Sequence, residues 1–290
     1  MKTRKKYAII CILIIFTIAL TFSTCEDEYG PTIWDDKEWV DPATQTTPLT
    51  GGMQLLSYTG GSRSLAGSPY NYETWDFSQG SGSNNKLFWY GPNQGGGGAF
   101  RAEWSSYFLA RLGFYWGNGG KYTQYRNIYI DYNYNRTNAN GGFIGMYGWS
   151  RNPSASKDVE KLIEFYIVDD WFYPTQMGAG NIAGGAANVK QRATFTADGA
   201  TYIIYTGERI NQPSIDGTKT FIQIFSVRQG RRSYGTISVT EHFAEWSKFI
   251  ELGNLYEVAF KVEAFSGSGN LDLTYLYLSQ ETNPRIVPYQ

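Results

Sequence analysis

The chain has 290 residues, with 25 Lys and Arg against 26 Asp and Glu, a net charge of −1 and one histidine. That length holds one large domain or two small ones. There is no basic excess to neutralise phosphates, which excludes nucleic acid as a partner. The one histidine, His242, falls in a stretch that reads as a helix, which argues against a Ser-His-Asp triad or a zinc site. Aromatics make up 17% of the chain, led by 23 Tyr, and 33 residues are Gly. This composition favours an all-β domain with many turns. Tyr and Trp present a flat apolar face with a polar tip, which suits sugar polymers, although the same residues also fill ordinary sheet positions.

In chain order, the first segment reads as a leader. Lys2, Arg4, Lys5 and Lys6 precede an apolar run from Tyr7 to Phe22. Its length and flanks fit a secretory signal over residues 1–25 better than a spanning helix. Removing it leaves 21 basic against 26 acidic residues, a net charge of −5. The two cysteines, Cys11 and Cys25, both lie within this leader, so the mature domain has no disulfide and rests on its core. Cys25 directly follows the apolar run. This position resembles the lipidated cysteine of bacterial lipoproteins; the other reading is ordinary cleavage nearby. The protein is thus expected to be exported from a bacterium, either secreted or tethered to the membrane through Cys25.

Residues 26–67 read as a flexible linker, because CEDEYG, TTPLTGG and GGSRSLAGS carry no lasting periodicity. From about residue 68 the pattern becomes short β-rich runs between turn clusters. KLFWYG, NIYIDYNY, GFIGMYGW, KLIEFYIVDDW, TYIIYTGE, TFIQIFSVRQ, GTISV, LYEVAFKVEAF and LDLTYLYLS all read as strands. Many short strands with Gly, Asn and Asp turns predict a sandwich or barrel. One helix is predicted over 240–251, where Phe243, Trp246 and Ile250 recur at helical spacing, with Thr240 as its cap and Gly253 as its stop. The glycines of GGGG (95–98) lack the Lys-Ser/Thr of a phosphate cradle, so this is a loop. No metal and no cofactor is expected.

Glu164 is the anomaly among these strands. It interrupts the apolar run Leu162–Val168 and points to the same side as Leu162, Tyr166 and Val168. A carboxylate there must be paired, hydrated by a cleft, or used. Glu263 is a second carboxylate in a strand that is apolar at most neighbouring positions.

Five stretches, in order, resemble glycoside hydrolase family 11, the compact endo-1,4-β-xylanases. They are YGWSRNP (147–153), LIEFYIVDDW (162–171), DGATYIIYTGERINQPSIDGTKTF (198–221), FIQIFSVRQGRRSYGTISVTEHFAEW (221–246) and FKVEAFSGSGN (260–270). The resemblance spans roughly 68–278, and the catalytic domain is placed at 68–280 with a short tail at 281–290. It implies a β-jelly roll of two antiparallel sheets with one helix. It also implies a metal-free endo-1,4-β-xylanase, a monomer acting on xylan, that retains anomeric configuration.

The resemblance makes Glu164 the nucleophile and Glu263 the acid/base. Such chemistry needs two carboxyl groups about 5–5.5 Å apart, one ionised and one carrying a proton. It also implies that Tyr147 and Tyr166 flank the nucleophile, Arg209 hydrogen-bonds it, and Gln223 lines the cleft. Pro213, Ser214 and Ile215 form a thumb tip over the sugar, and Trp75 is a stacking platform. Core filling is the competing reading for each aromatic. The sequence departs from the family's usual pattern in four places. Phe165 replaces a tyrosine, Ile224 and Phe225 follow Gln223, Ala264 follows Glu263, and no Asp or Asn lies near 107–109 to face the acid/base. A non-catalytic carbohydrate-binding jelly roll and a related β-glucanase remain the alternatives.

Overall fold

The computed structural model describes residues 38–56, 61–76 and 84–285. The expected leader and Cys25 lie outside the described residues. Fifteen strands run in chain order: β1 (Met53–Leu55), β2 (Arg63–Ser64), β3 (Asn71–Trp75), β4 (Lys86–Trp89), β5 (Phe100–Trp104), β6 (Phe108–Tyr115), β7 (Asn127–Arg136), β8 (Gly142–Arg151), β9 (Leu162–Trp171), β10 (Ala187–Ala197), β11 (Ala200–Ser214), β12 (Gly217–Arg228), β13 (Tyr234–Ser238), β14 (Asn254–Ala264) and β15 (Gly269–Glu281). They form two sheets, one of six strands ordered β1-β4-β5-β15-β7-β13, the other of nine ordered β10-β11-β12-β9-β8-β14-β6-β3-β2. All pairings are antiparallel except β9 with β12. This is the expected all-β jelly roll. All nine strands read from the sequence are present, and β1, β2, β3, β5, β6 and β10 are added by the structure.

Period-2 alternation sorts the nine-stranded sheet into two faces. On β9, Ile163, Phe165 and Ile167 enter the main core between the sheets, while Leu162, Tyr166 and Val168 join a second apolar cluster on the opposite face. On β14, Val258, Phe260 and Val262 enter the main core, which leaves Glu257, Lys261 and Glu263 for the other face. Burying a side chain of the Phe or Leu class contributes roughly 1.5–3 kcal/mol. The alternation is therefore enforced at every strand, and a one-residue slip would bury the wrong set.

The helix expected at 240–251 is α2 (Val239–Trp246), after the five-residue α1 (Ala179–Ala183). It is shorter than expected because Ser247 caps its C-terminal end. Thr240 does not cap its start; its hydroxyl accepts from the Ile128 amide instead. Phe243 and Trp246 pack on Phe165 with ring centroids 5.1 and 5.8 Å apart, and the Trp246 indole donates to Ser226 Oγ at 2.8 Å. The helix thus braces β9 and β12 from the core side.

The expected linker is not free over its described part. Strand β1 pairs with β4, and β2 with β3. Upstream, the Asn133 side chain donates to Pro42 O at 2.8 Å, and the Trp39 indole to Asp131 Oδ1 at 3.3 Å. Arg285, from the expected tail, also reaches Asp131, at 2.8 Å. The segment around Trp39 and Pro42 lies along the six-stranded sheet, where buried Asn133 and Asp131 of β7 offer it a donor and an acceptor, and β2 joins the nine-stranded sheet. Composition alone does not reveal such partners.

Candidate active site

The face of the nine-stranded sheet turned away from the main core bounds a cleft of ≈ 640 Å³. Side chains from β3, β6, β8, β9, β11, β12 and β14 line it. Every residue expected at the site lines this space, and all but one make the contacts expected of them or none that conflict. Glu164, Glu263, Trp75, Tyr147, Tyr166, Gln223 and the thumb residues Pro213, Ser214 and Ile215 all face this space. Pro213 and Ser214 close the end of β11 in the hairpin to β12, with the register running Pro213 to Thr218 and Ser214 to Gly217. Asp216 in the turn pairs with Arg151 at 2.7 Å, which holds the thumb tip to the end of β8.

Glu164 is held at both oxygens. The Tyr147 hydroxyl donates to Oε1 at 2.8 Å, and Gln223 Nε2 donates to Oε2 at 2.6 Å. Burial pushes its carboxyl above the ordinary glutamate value, opposed by Gln223, Tyr147, Tyr166 and the charge of Lys261. The Tyr147 and Tyr166 hydroxyls are pushed well up by burial and by Glu164, so both stay protonated donors at neutral pH. Behind them, Trp149 Nε1 donates to the Tyr147 hydroxyl, and the Tyr166 ring stacks on Phe225 at 4.4 Å. The donors to Glu164 are therefore fixed by a further layer of contacts.

Arg209 is the exception. It lines the cleft, but its guanidinium donates to the Gly185 carbonyl and to Gln212 Oε1 at 3.3 Å, not to Glu164. The role expected of it falls to Gln223 and Tyr147. Arg209 is drawn away because α1 and the loop after it bring a backbone carbonyl within reach.

Strand β8 separates β9 from β14, with Trp149 opposite Glu164 and Phe143 opposite Glu263. Glu263 Oε1 accepts from the Tyr107 hydroxyl at 2.6 Å, and Oε2 accepts from Lys261 Nζ at 2.5 Å. So the position where the family places an Asp or Asn is served by the Tyr107 phenol. Burial first, then the charges of Glu263 and Glu164, push that phenol far up, and it stays a donor. Lys261 was not anticipated. It lies two residues before Glu263 on the same strand face, and Gly145 opposite it on β8 brings no side chain into the space. Gly145 has φ 153°, and a Cβ there would lie 2.0 Å from the Ile167 carbonyl oxygen, so only glycine fits this bulge.

Arg111, also unanticipated, is bound by Glu73 at 2.6 Å and Glu257 at 3.1 Å, with its guanidinium 4.8 Å from the centre of the Tyr147 ring. Parity on β14 puts Lys261 on the face of Glu263, which was the available signal, whereas β6 is not among the strands read from the sequence and nothing there flags Arg111. Of the remaining departures, only Phe225 lines the cleft, stacked on Tyr166. Phe165 and Ile224 face the main core, and Ala264 continues β14, paired with Gly142. Among the described residues, no group of three or more His, Cys, Asp or Glu side chains is placed to hold a metal ion.

Two buried carboxylates facing one aromatic cleft on a β-jelly roll are the build of a glycoside hydrolase. The family comparison agrees: the sequence pattern of glycosyl hydrolases family 11 matches residues 68–274. The chain belongs to that family. It is 37% identical over 244 residues to endo-1,4-beta-xylanase C of Fibrobacter succinogenes, covering 82% of this chain and 36% of that protein. It is 35% identical over 239 residues to endo-1,4-beta-xylanase S20 of Neocallimastix patriciarum, covering 80% and 64%. The chain thus spans less than two thirds of the length of these relatives. Among solved structures, the wild-type ENZbleach xylanase superposes with a TM-score of 0.78 at 44% identity, covering 87% of this chain and 98% of that one.

Proposed function

We propose that the chain is an endo-1,4-β-xylanase that hydrolyses internal bonds of xylan with retention of anomeric configuration. The observation that carries this is the unequal treatment of the two carboxylates. Glu164 accepts only from neutral donors at both oxygens, Gln223 and Tyr147, which aim it as a fixed nucleophile. Glu263 meets the Tyr107 hydroxyl and the Lys261 ammonium, two donors that favour its carboxylate, the form that takes a proton from water in the second step. In the first step Glu164 attacks the anomeric carbon while Glu263 protonates the leaving oxygen. The glycosyl ester then carries no charge on Glu164, and Glu263, now a carboxylate, takes a proton from the attacking water. Relatives named as xylanases support xylan as the substrate.

The test is hydrolysis of soluble xylan with the product anomer followed by NMR. Wild type should release the β-anomer first. Glu164→Ala and Glu263→Ala should each lose activity, by roughly 10²–10⁴-fold for the acid/base. Full activity in either variant, an α-anomer product, or faster release from β-glucan than from xylan would each sink the reading. The basic and apolar leader supports export, with Cys25 as the point of a lipid tether; mass spectrometry of the mature N-terminus tests both.

A further inference from the structure

The side chain of Lys261 is only 1% exposed. Its ammonium lies 2.5 Å from Glu263 Oε2 and 4.1, 4.5 and 5.0 Å from the ring centres of Phe143, Tyr166 and Tyr147. Burial pushes its ammonium below the ordinary lysine value, opposed by Glu263 and then by Glu164. A buried ion pair adds little stability over a well-packed apolar pair, because desolvation offsets the attraction. The weight of this lysine therefore falls on the charge of the carboxyl it touches.

We propose that Lys261 is a positioning residue for the acid/base: its ammonium is the shared counter-charge of Glu164 and Glu263, and its contact with Glu263 favours the carboxylate of that residue over the protonated acid. The inference rests on the reading of Glu263 as acid/base. The proton passed to the leaving oxygen is that of Glu263, and the ion pair with Glu263 opposes the loss of the Lys261 proton that burial favours.

Other charges face this pair from each neighbouring strand. On β6, Arg111 is already neutralised by Glu73 and Glu257. Ahead of β6, the Tyr107 phenol is a neutral donor. From β8 and β9 come the neutral hydroxyls of Tyr147 and Tyr166 beside Glu164. From β11, Arg209 is engaged with Gly185 and Gln212. Lys261 is thus the one cation in contact with the acid/base among the described residues. The geometry has a consequence for each half of the cycle. While Glu164 is ionised, one ammonium serves two carboxylates. Once Glu164 is esterified, the whole of that positive charge acts on Glu263 and favours the carboxylate that activates water.

The experiment compares wild type, Lys261→Met, which keeps the volume without the charge, and Lys261→Arg, which keeps the charge. The pH profile of kcat/KM on an aryl β-xylobioside is measured for each, and the Glu263 carboxyl is titrated by carbon NMR. Removing one charged hydrogen bond should move the alkaline limb and the Glu263 titration up by about one to two pH units in Lys261→Met. Lys261→Arg should stay near wild type. A folded Lys261→Met variant with both curves superimposed on wild type would overturn the proposal. So would an equal upward shift in Lys261→Arg, which would assign the effect to packing. The carboxyl titration needs no turnover, so an inactive wild type would refute the functional reading, and with it the role in catalysis, while an upward shift would still support Lys261 as counter-charge.

Discussion

Gln223→Leu isolates what holds Glu164 ionised. Gln223 is 7% exposed, and its Nε2 lies 2.6 Å from Glu164 Oε2. Leucine keeps most of the volume and removes the donor. A hydrogen bond to a charged group contributes about 1.5–3 kcal/mol, so the carboxylate form should lose about that much. At 1.36 kcal/mol per unit, the Glu164 titration should move up by about one to two units. Burial already pushes it in that direction, so the loss adds to an existing strain on the charged form. The nucleophile must be ionised in free enzyme, and the acidic limb of kcat/KM reports this. The limb should therefore shift to higher pH, with roughly 10–100-fold less activity on its acid side and a plateau close to wild type. The assay is initial rate against pH at low substrate. An unmoved limb with a lowered plateau would show that Gln223 serves the sugar rather than the carboxylate, and would refute the reasoning.

Two further outcomes test the assignment of faces and charges. Phe165→Tyr restores the hydroxyl common in the family, but the ring tip abuts Gly148 and the ring packs on α2 in the main core. It should cost roughly 1–3 kcal/mol, a Tm fall of about 2–4 °C for each, with KM on xylan unchanged; an unchanged Tm with an altered KM would put this side chain on the wrong face. Glu257 is pushed up to about 7, by burial first and then by the nearby charges of Glu73 and Glu164 against Arg111. A raised folded value means stability is fully present below the unfolded value and falls as pH rises from about 4.5 to about 7, by up to about 3 kcal/mol. Glu257→Gln should flatten that slope in denaturant unfolding across pH, and parallel slopes for the two proteins would count against it.

Much of this site was legible locally. Side-chain direction in a strand alternates residue by residue, so the sequence alone put Glu164 on the face of Leu162, Tyr166 and Val168, and the structure keeps it there. The same rule would have exposed Lys261, which shares parity with Glu263, had the lysine been weighed as part of the site. The departure at Phe165 looked like a missing hydroxyl beside the nucleophile. Parity already sent it to the other face, and only the packing of α2 shows why a ring without a hydroxyl suits that place.

The sequence determined the fold class, both glutamates and the cleft aromatics, because strand periodicity and ordered motifs are properties of contiguous residues. Tertiary structure decided which partner each group meets. Arg209 was expected at Glu164 and lies instead against Gly185, a choice made by where α1 sets down a carbonyl. Tyr107 reaches Glu263 across 156 residues of chain, and the segment around Trp39 and Pro42 folds back along β7 despite a linker's composition. Such pairings depend on register, on which strands become neighbours and on which buried groups still lack a partner. None of these is encoded in the spacing of residues along a single strand.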